Sequence, residues 1–382
     1  MQLVYPSKKT KEQILLAPPP QGLCFSPEFS GGNALVLGEN FTAMQLLLNR
    51  YGFGGKVDLI YIDPPFATKN IFFAGEGRVS TISPATGDEV AYSDGLCGEQ
   101  FIEFLRERLV LARALLSPRG SLYLHIDYKI GHYVKVMMDE IFGANNFRND
   151  IARIKCNPKN FSRKGFGNVK DMILFYTKNE EFIWNEPYEP FTPEDVQRLY
   201  KKRTGDGRRY TTVPLHAPGE TTSGATGGEF KGLKPPAGRH WRVSPTELEK
   251  LDEQKLIEWS ENGVPRKIIF ADENKGKKVQ DVWEFKDSPY PSYPTEKNLA
   301  MLERIVSTSS LKGSLVMDFF CGSGTTLLAA QRLGRRWLGV DKGKKAIEVA
   351  CARLKEEAGG LFEDAGWQVI SLEAAREQPR AM

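Results

Sequence analysis

Four consecutive residues, Asp63-Pro64-Pro65-Phe66, follow an apolar run and are of types that could activate an amino group. The amino group of a nucleic acid base is a poor nucleophile, because its lone pair is delocalised into the ring. The Asp63 carboxylate and the Pro64 carbonyl could each accept one amino hydrogen and favour a tetrahedral nitrogen. Proline has no N–H to compete for these acceptors, and Phe66 offers a face for stacking a flipped-out base.

A glycine-rich segment, Asp318-Phe319-Phe320-Cys321-Gly322-Ser323-Gly324-Thr325-Thr326, lies between a predicted strand and a predicted helix. Open parallel sheets bind nucleotide-like ligands at such a turn, and glycines let the ligand approach the backbone. Asp341 ends the next predicted strand, where a carboxylate can reach ribose hydroxyls. A dinucleotide fingerprint would need a third glycine where Leu327 stands, so the spacing favours an adenosine-containing ligand of another kind. The alternative is a turn required only for tight packing.

The elements that must hold these two segments alternate between strands and helices, which predicts a doubly wound α/β sheet. This alternation of strands and helices is absent between about 150 and 290, where Gly, Pro, Lys and Arg are frequent, and it resumes after Lys297. One sheet domain is therefore predicted to be split by an insertion. Strands are predicted at 34–37, 57–62, 121–126, 315–318 and 337–340, and helices at 41–51, 101–116, 133–142, 299–307 and 326–333.

Both motifs, in the order catalytic segment first and glycine loop last, resemble those of the permuted β group of amino-methylating DNA methyltransferases. That group includes modification subunits of type III restriction systems and many solitary adenine methyltransferases. The likeness spans most of residues 33–355. It implies a circularly permuted Rossmann-like fold, S-adenosylmethionine as cofactor, and methylation of the N6 amino group of a flipped-out adenine.

The resemblance also assigns residues and regions. It implies catalytic roles for Asp63, Pro64, Pro65 and Phe66, and cofactor contacts for Asp318, Phe320, Cys321, Gly322, Ser323, Gly324, Thr325, Asp341, Thr295, Lys297, Glu39 and Asn40. Thr295 and Lys297 are expected near the carboxylate of the cofactor, and Glu39 or Asn40 near its adenine. The expected regions are an N-terminal arm (1–30), a catalytic half (31–150), a target-recognition region (151–290), a cofactor half (291–360) and a C-terminal tail (361–382).

Three residues depart from the family pattern, and other functions stay open. Phe66 replaces a commoner tyrosine, Asn298 a usual proline, and Glu39 a usual aspartate. A serine before the prolines would favour N4 methylation of cytosine, so Asp63 favours adenine over that alternative. A catalytically idle DNA-binding subunit is a second alternative, against which the intact Asp63 and glycine loop argue. Methylation of a cytosine carbon is disfavoured, since no cysteine follows a proline.

The predicted partner is double-stranded DNA, whereas a homodimer and a restriction endonuclease partner are left open. Basic residues concentrate in the insertion with few acids between them, as phosphate contacts require. The DNA-contact candidates are Lys155, Lys159, Arg163, Lys164, Arg208 and Arg209. The alternative is a solvated basic face, because the net charge is only +4. Scattered cysteines predict reduced thiols and no metal site, and the lack of an apolar leader or membrane span predicts an intracellular protein. The resemblance implies a prokaryotic cytoplasmic protein associated with the nucleoid.

Overall fold

A computed structural model describes residues 2–20, 22–65, 71–74, 89–93, 98–158, 164–221, 224–288, 291, 293, 296–358 and 366–374. The chain forms two compact units, one comprising residues 1–187 and 280–382 and the other residues 188–279. The expected recognition region began at 151, whereas the second unit begins at Tyr188. Residues 151–187 belong with the first unit because they contain strands of its sheet.

Most described helices begin at a residue whose side chain accepts a backbone N–H from the first turn, as Asp127 and Thr192 do. Within the described residues, no helix is both long enough and apolar enough to cross a bilayer. The α-helices are α1 (Lys11–Leu15), α2 (Asn40–Asn49), α3 (Gly98–Leu115), α4 (Tyr128–Phe142), α5 (Pro193–Leu199), α6 (Pro245–Glu253), α7 (Leu299–Ser309), α8 (Thr325–Arg332) and α9 (Lys344–Glu357).

The longest apolar runs of the sequence form strands that are buried on both faces, as parallel sheets require. The described strands are β1 (Leu23–Ser26), β2 (Asn33–Leu37), β3 (Val57–Ile62), β4 (Ile71–Ala74), β5 (Glu89–Ser93), β6 (Leu116–Ile126), β7 (Phe147–Ile154), β8 (Lys170–Thr177), β9 (Tyr188–Glu189), β10 (Lys202–Arg203), β11 (Arg209–Pro214), β12 (His216–Pro218), β13 (Arg239–Trp241), β14 (Ile257–Trp259), β15 (Pro265–Phe270), β16 (Lys277–Lys278), β17 (Val282–Glu284), β18 (Leu315–Asp318), β19 (Arg336–Asp341) and β20 (Trp367–Ala374).

The first unit contains a ten-stranded sheet in the order β1-β20-β2-β19-β18-β3-β6-β8-β7-β17. Neighbouring strands from β20 to β6 are parallel, whereas β8 runs antiparallel to both β6 and β7. From β18 the chain continues through α8 to β19 on one side, and from β3 through α3 to β6 on the other. A doubly wound sheet binds its ligand at such a reversal. The predicted doubly wound fold is confirmed, and its switch point lies between β18 and β3.

The order of the two halves in the chain is the permuted one that the resemblance implied. Strand β18, which precedes the glycine loop, stands in the middle of the sheet although it comes late in the sequence. Strand β3, which precedes Asp63, is its neighbour and comes early. The catalytic segment therefore precedes the cofactor segment in sequence, while the two meet at adjacent strand ends.

Described segments near both ends of the chain contribute to the sheet, where an arm and a tail were expected. In the N-terminal segment, β1 pairs with β20, and the side chains of Ile14, Phe25 and Phe29 are buried in the main core. In the C-terminal segment, β20 also pairs in parallel with β2. The expected boundaries at 30 and 361 therefore do not coincide with the structure, because these short segments complete one edge of the sheet.

The second unit, residues 188–279, has its own small core. A four-stranded antiparallel sheet runs β10-β11-β15-β14, accompanied by two two-stranded sheets, β12-β13 and β9-β16. Leu215, Phe230, Trp241 and Leu248 form a buried apolar cluster. The ring of Phe230 stacks on that of Trp259 at 5.9 Å between centroids. This part of the insertion is therefore a folded unit with turns and short strands, although its sequence shows no sustained periodicity.

Candidate active site

The segment Asp63-Pro64-Pro65 directly follows β3 at the carboxyl edge of the sheet. Because β3 and β18 pair in parallel, this segment lies beside Asp318, the last residue of β18. Pro64 is buried, and its two neighbours are half-buried. Phe66, predicted to stack on the base, lies outside the described residues. The sheet therefore brings the two predicted motifs together at its switch point.

Asp63 forms an ion pair with Lys297, whose Nζ lies 2.5 Å from Asp63 Oδ2. The two side chains are 15% and 10% exposed, respectively. The other carboxylate oxygen, Oδ1, is buried and has no hydrogen-bond partner among the described residues. The resemblance placed Lys297 near the carboxylate of the cofactor, whereas here it contacts the carboxylate of Asp63, which is predicted to be catalytic. Thr295, expected beside it, lies outside the described residues.

Two glycines of the loop adopt backbone conformations that other residues rarely adopt. Gly322 has φ of +49° and Gly324 has φ of +77°, both in the left-handed region. A Cβ atom on Gly324 would lie 2.9 Å from the Cβ of Ala350 in α9. Gly324 also precedes α8, so the loop delivers the chain to a helix N-terminus at the carboxyl edge of the sheet. Glycine is therefore required at 324 for both conformation and space.

Asp318 lies beneath the loop and organises it. Thr326 Oγ1 donates to Asp318 Oδ2 at 2.6 Å, and the Phe320 N–H donates to Oδ1 at 3.0 Å. Burial raises the pKa of Asp318 to about 7, although these hydrogen bonds oppose the shift. Only 2% of the residue is exposed. Asp318 thus shapes the loop from below.

Asp341, expected to contact the ribose, ends β19 and is half-buried. Its Oδ2 accepts from the Gly322 N–H at 2.9 Å and its Oδ1 from the Gly343 N–H at 2.7 Å. Burial raises the pKa of Asp341 despite these two hydrogen bonds. A carboxylate offers about four lone pairs, so further donors such as ribose hydroxyls can still be accepted.

Two further residues of the loop, Phe320 and Cys321, differ in burial. The Phe320 ring is partly buried and meets the Phe104 ring edge to face at 6.1 Å between centroids. Cys321 is buried, and burial raises the pKa of its thiol well above the usual value. A protonated thiol is a weak nucleophile. Cys321 is therefore buried as a protonated thiol, a state that disfavours nucleophilic attack.

Glu39 and Asn40, expected near the adenine of the cofactor, are bridged by an arginine that the sequence reading missed. Glu39 caps α2, and Arg108 of α3 forms an ion pair with it. Arg108 Nε also donates to Asn40 Oδ1 at 2.6 Å, while Asn40 Nδ2 donates to the Phe319 carbonyl at 2.8 Å. Burial raises the pKa of Glu39, but Arg108 outweighs it and the net shift is downward. The start of α2 is thereby tied to the glycine loop.

A second arginine missed by the sequence reading, Arg353 of α9, holds the other side of the loop. Its Nη1 lies 3.0 Å from the Ser323 carbonyl, 2.8 Å from Ser323 Oγ and 2.9 Å from Thr325 Oγ1. Its Nη2 lies 3.0 Å from Glu296 Oε1. Arg353 thus connects the glycine loop with the residue that precedes Lys297. Its only local signal was a basic residue within an amphipathic helix.

A buried polar chain crosses the sheet beside β3. The Tyr61 hydroxyl lies 2.9 Å from His125 Nδ1, and His125 Nε2 lies 3.3 Å from Asp171 Oδ2. Burial lowers the pKa of His125, so the neutral ring accepts from Tyr61 and donates to Asp171. Burial raises the pKa of Asp171, but hydrogen bonds from His125 and Lys155 outweigh it and keep the carboxylate ionised. These hydrogen bonds fix β3, the strand that precedes Asp63.

The basic side chains predicted to contact DNA differ in whether a carboxylate of the protein already pairs with them. Lys155 Nζ pairs with Asp171 at 2.6 Å, and Arg208 pairs with both Asp272 and Glu273 at 2.8 and 2.7 Å. Arg209 donates to a backbone carbonyl, whereas Lys164 is exposed. The remaining two candidates, Lys159 and Arg163, lie outside the described residues. Lys155 and Arg208 are therefore already neutralised by carboxylates of their own units.

Comparison with known proteins gives a family. A model described as DNA methylase matches residues 57–352. The chain is 39% identical over 360 residues to the type II methyltransferase M.EcaI of Enterobacter cloacae, covering 92% of this chain and 77% of that protein. It is 26% identical over 386 residues to the StyLTI Mod subunit of a type III restriction-modification enzyme from Salmonella typhimurium, covering 91% of this chain and 56% of that protein.

The chain thus spans little more than half the length of the Mod subunit. A crystal structure of an M1.HpyAVI–SAM complex aligns with 84% of this chain and 98% of its own, at 18% identity and a TM-score of 0.46. The family model covers the catalytic segment, the glycine loop and Asp341. The chain therefore belongs to the DNA methylase family of N6 and N4 amino-methyltransferases, whose methyl donor is S-adenosylmethionine.

Proposed function

We propose that this DNA methyltransferase methylates the N6 amino group of adenine in duplex DNA, with Asp63 as the residue that binds the amino group. The observation that carries the proposal is the placement of Asp63 beside the glycine loop, with Oδ1 buried and without a hydrogen-bond partner among the described residues. A buried acceptor is normally satisfied, and an amino hydrogen of the substrate base would satisfy this one. The preference for adenine rests on Asp63 standing where serine would favour cytosine.

The residues around the loop suit the cofactor. S-adenosylmethionine supplies an electrophilic methyl group on a positively charged sulfur. Gly322 and Gly324 allow close approach to the loop backbone, and the Asp341 carboxylate retains acceptor capacity for ribose hydroxyls. Glu39 and Asn40, ordered by Arg108, would border the adenine. No metal ion is required for this chemistry, since the positively charged sulfur would depart as a neutral thioether, a good leaving group.

The protein's part in the reaction is to hold the base and take up charge. Asp63 Oδ1 and the Pro64 carbonyl would each accept one hydrogen of the amino group, and Phe66 would stack on the base. With S-adenosylmethionine bound, the nitrogen lone pair would form the new N–C bond, and the electron pair of the broken C–S bond would remain on sulfur. Asp63 would then take the proton that the nitrogen loses and pass it to solvent. A carboxylate beside the nitrogen stabilises the positive charge that develops there.

The base is identified by analysing the product. Unmethylated plasmid DNA is incubated with the protein and methyl-labelled S-adenosylmethionine, digested to nucleosides and examined by mass spectrometry. We expect labelled N6-methyldeoxyadenosine from the wild type and from Asp150→Ala, an exposed aspartate on β7, and none from Asp63→Ala. Labelled N4-methyldeoxycytidine would contradict the choice of adenine. No product from a wild-type protein that binds the cofactor would favour the idle DNA-binding subunit.

The partners of the chain belong to the same proposal. The name of one relative, the StyLTI Mod subunit, places that protein in a type III restriction-modification enzyme, and we propose that this methyltransferase protects DNA against an endonuclease of matching specificity. Digestion of the methylated plasmid with a panel of restriction endonucleases would reveal the protected site. We expect protection at one sequence only, and uniform sensitivity to the whole panel would argue against such a role.

A further inference from the structure

The ion pair between Lys297 and Asp63 is the feature that the proposed reaction does not use. The resemblance assigns the lysine to the carboxylate of the cofactor, yet its Nζ lies 2.5 Å from Asp63 Oδ2. Both side chains are at least 85% buried. Charges in such a place are costly unless they are paired. The ion pair therefore stabilises both buried charges, and it places the lysine where it can act on the Asp63 carboxylate.

The ion pair makes the two oxygens of Asp63 unequal. Oδ2 accepts from the ammonium group, whereas Oδ1 is buried and has no hydrogen-bond partner among the described residues. A carboxylate without a partner on either oxygen could rotate about its terminal torsion, which is broad and roughly two-fold. Holding Oδ2 fixes the plane of the group and the direction of Oδ1. One oxygen is thus committed to the protein and the other is left for a donor.

Lys297 is itself held on both sides along the chain. The preceding residue, Glu296, forms an ion pair with Arg353 at 3.0 Å. The following residue, Asn298, caps α7 by accepting from the Met301 N–H at 3.2 Å, and its Nδ2 donates to the Lys286 carbonyl at 3.1 Å. Asn298 was a departure from the family pattern, and here it performs the capping that fixes the end of this segment.

We propose that Lys297 is a positioning residue for Asp63, which binds Oδ2 so that Oδ1 alone receives the amino hydrogen of the base. This inference rests on the proposed function, since it presumes that Asp63 binds the base. Lys297 does not contact the base and acts through the carboxylate. Its loss should therefore slow methyl transfer after both substrates have bound, and should leave cofactor affinity almost unchanged.

Replacing the ammonium group tests the proposal. Lys297→Met keeps most of the side-chain length and removes the charge, Lys297→Arg keeps the charge, and Lys286→Met is the matched control. Lys286 lies in the preceding segment and pairs with Glu284 at the surface. Cofactor affinity is measured by titration calorimetry on the full chain. The transfer rate is measured in single turnovers with saturating cofactor and DNA.

We expect Lys297→Met to lower the single-turnover rate by about 10- to 100-fold, with cofactor Kd changed by less than about three-fold. Lys297→Arg should recover part of the rate, and Lys286→Met should match the wild type in both measurements. If Lys297→Met raised cofactor Kd ten-fold or more while the rate at saturation was retained, the lysine would serve the cofactor and the proposal would be wrong. Wild-type values in both measurements would equally overturn it.

A stability measurement keeps this test separate from the proposed function. The midpoints of thermal unfolding of Asp63→Ala, Lys297→Met and the double variant form a cycle that needs no activity. If the pair exists in solution, the double variant should lose less than the sum of the two single losses, because the second substitution removes no further contact. Additive losses would overturn the ion pair. A methylcytosine product would change the proposed base and leave this inference standing, because both bases present an amino group.

Discussion

Replacing Arg353 by alanine should weaken cofactor binding, because this side chain holds the glycine loop in place. Its Nη1 lies within 3.0 Å of three acceptors on Ser323 and Thr325, and its Nη2 pairs with Glu296. The guanidinium side chain is only 16% exposed. Truncation would therefore remove the charged donor from these buried loop acceptors. The loss of affinity should be largest for a ligand that contacts the ordered loop, as S-adenosylmethionine is proposed to do.

The expected loss of free energy follows from the number of hydrogen bonds that Arg353 Nη1 can donate. One Nη1 carries two hydrogens, so it satisfies two of the three acceptors at once. Each hydrogen bond to a charged group contributes about 1.5–3 kcal/mol, and the contacts are not additive. We therefore expect a loss of about 2–4 kcal/mol, divided between the free energy of unfolding and cofactor binding. At about 1.4 kcal/mol per ten-fold change, cofactor Kd should rise roughly 10- to 100-fold.

Arg332→Ala is the matched control on the neighbouring helix α8. Arg332 pairs with Glu303 at 3.3 Å and with Glu357 at 2.7 Å, but its side chain is 39% exposed. Ion pairs at the surface contribute about 0–1 kcal/mol. Cofactor Kd should therefore stay within about two-fold of the wild type in this variant, since less than about 0.4 kcal/mol would reach the cofactor site. Arg353→Lys should be intermediate, because one ammonium group cannot reach both Ser323 and Glu296.

The assay is calorimetric titration of S-adenosylmethionine into each variant, together with turnover at saturating cofactor. A contact that orders the loop acts about equally in the ground and transition states, so saturating cofactor should restore turnover to within a few-fold. Arg353→Ala with unchanged Kd but reduced unfolding stability would refute the reasoning and make Arg353 a structural residue only. Turnover that stays low at saturation would also refute it.

Three further predictions follow from the same region and from the insertion. Burial raises the pKa of Asp318 from 3.8 to about 7, so between pH 4 and 7 the unfolded chain loses this proton while the folded protein keeps it. The wild type should therefore lose up to about 1.4 kcal/mol of unfolding free energy per pH unit relative to Asp318→Asn; urea unfolding measures this loss, and parallel profiles would contradict it. Asp341→Ala should raise cofactor Kd and be rescued by excess cofactor; turnover that saturation cannot restore would show a different role. In duplex binding over a salt series, Lys164→Ala should flatten the slope of log affinity by about 0.9 per lost phosphate contact. Arg208→Ala should leave the slope unchanged, because Asp272 and Glu273 already neutralise it; the reverse pattern would exchange their roles.

The parts of the sheet that the sequence predicted are those with strong local signals. The ten predicted strands and helices correspond to β2, β3, β6, β18, β19, α2, α3, α4, α7 and α8. Each lies in a segment with clear apolar periodicity and ends near glycine, proline or a capping residue. Their alternation was enough to predict the doubly wound fold and to put both motifs at strand ends.

The strands that the sequence reading missed lie beside less regular sequence. Strand β8 contains the apolar run from Met172 to Tyr176, which is a strand signal, but the Gly- and Lys-rich residues before it obscured the pattern. Strand β20 lies beyond residue 360, where the cofactor half was expected to end. Its pairing with β1 and β2 joins the two ends of the chain. Because these strands are far apart in the sequence, their pairing produces no periodic pattern in either segment.

The sequence by itself predicted which residues would carry the chemistry, because acids, prolines and glycines at strand ends have local conformational and chemical requirements. Only the tertiary structure decided what these residues contact. Lys297 meets Asp63, Arg353 meets Ser323, and Arg108 meets Glu39. Each pair joins residues that are distant in sequence, so their contact depends on strand order and register. Periodicity indicates which face of a helix or strand is buried, but it does not indicate which other element packs against that face.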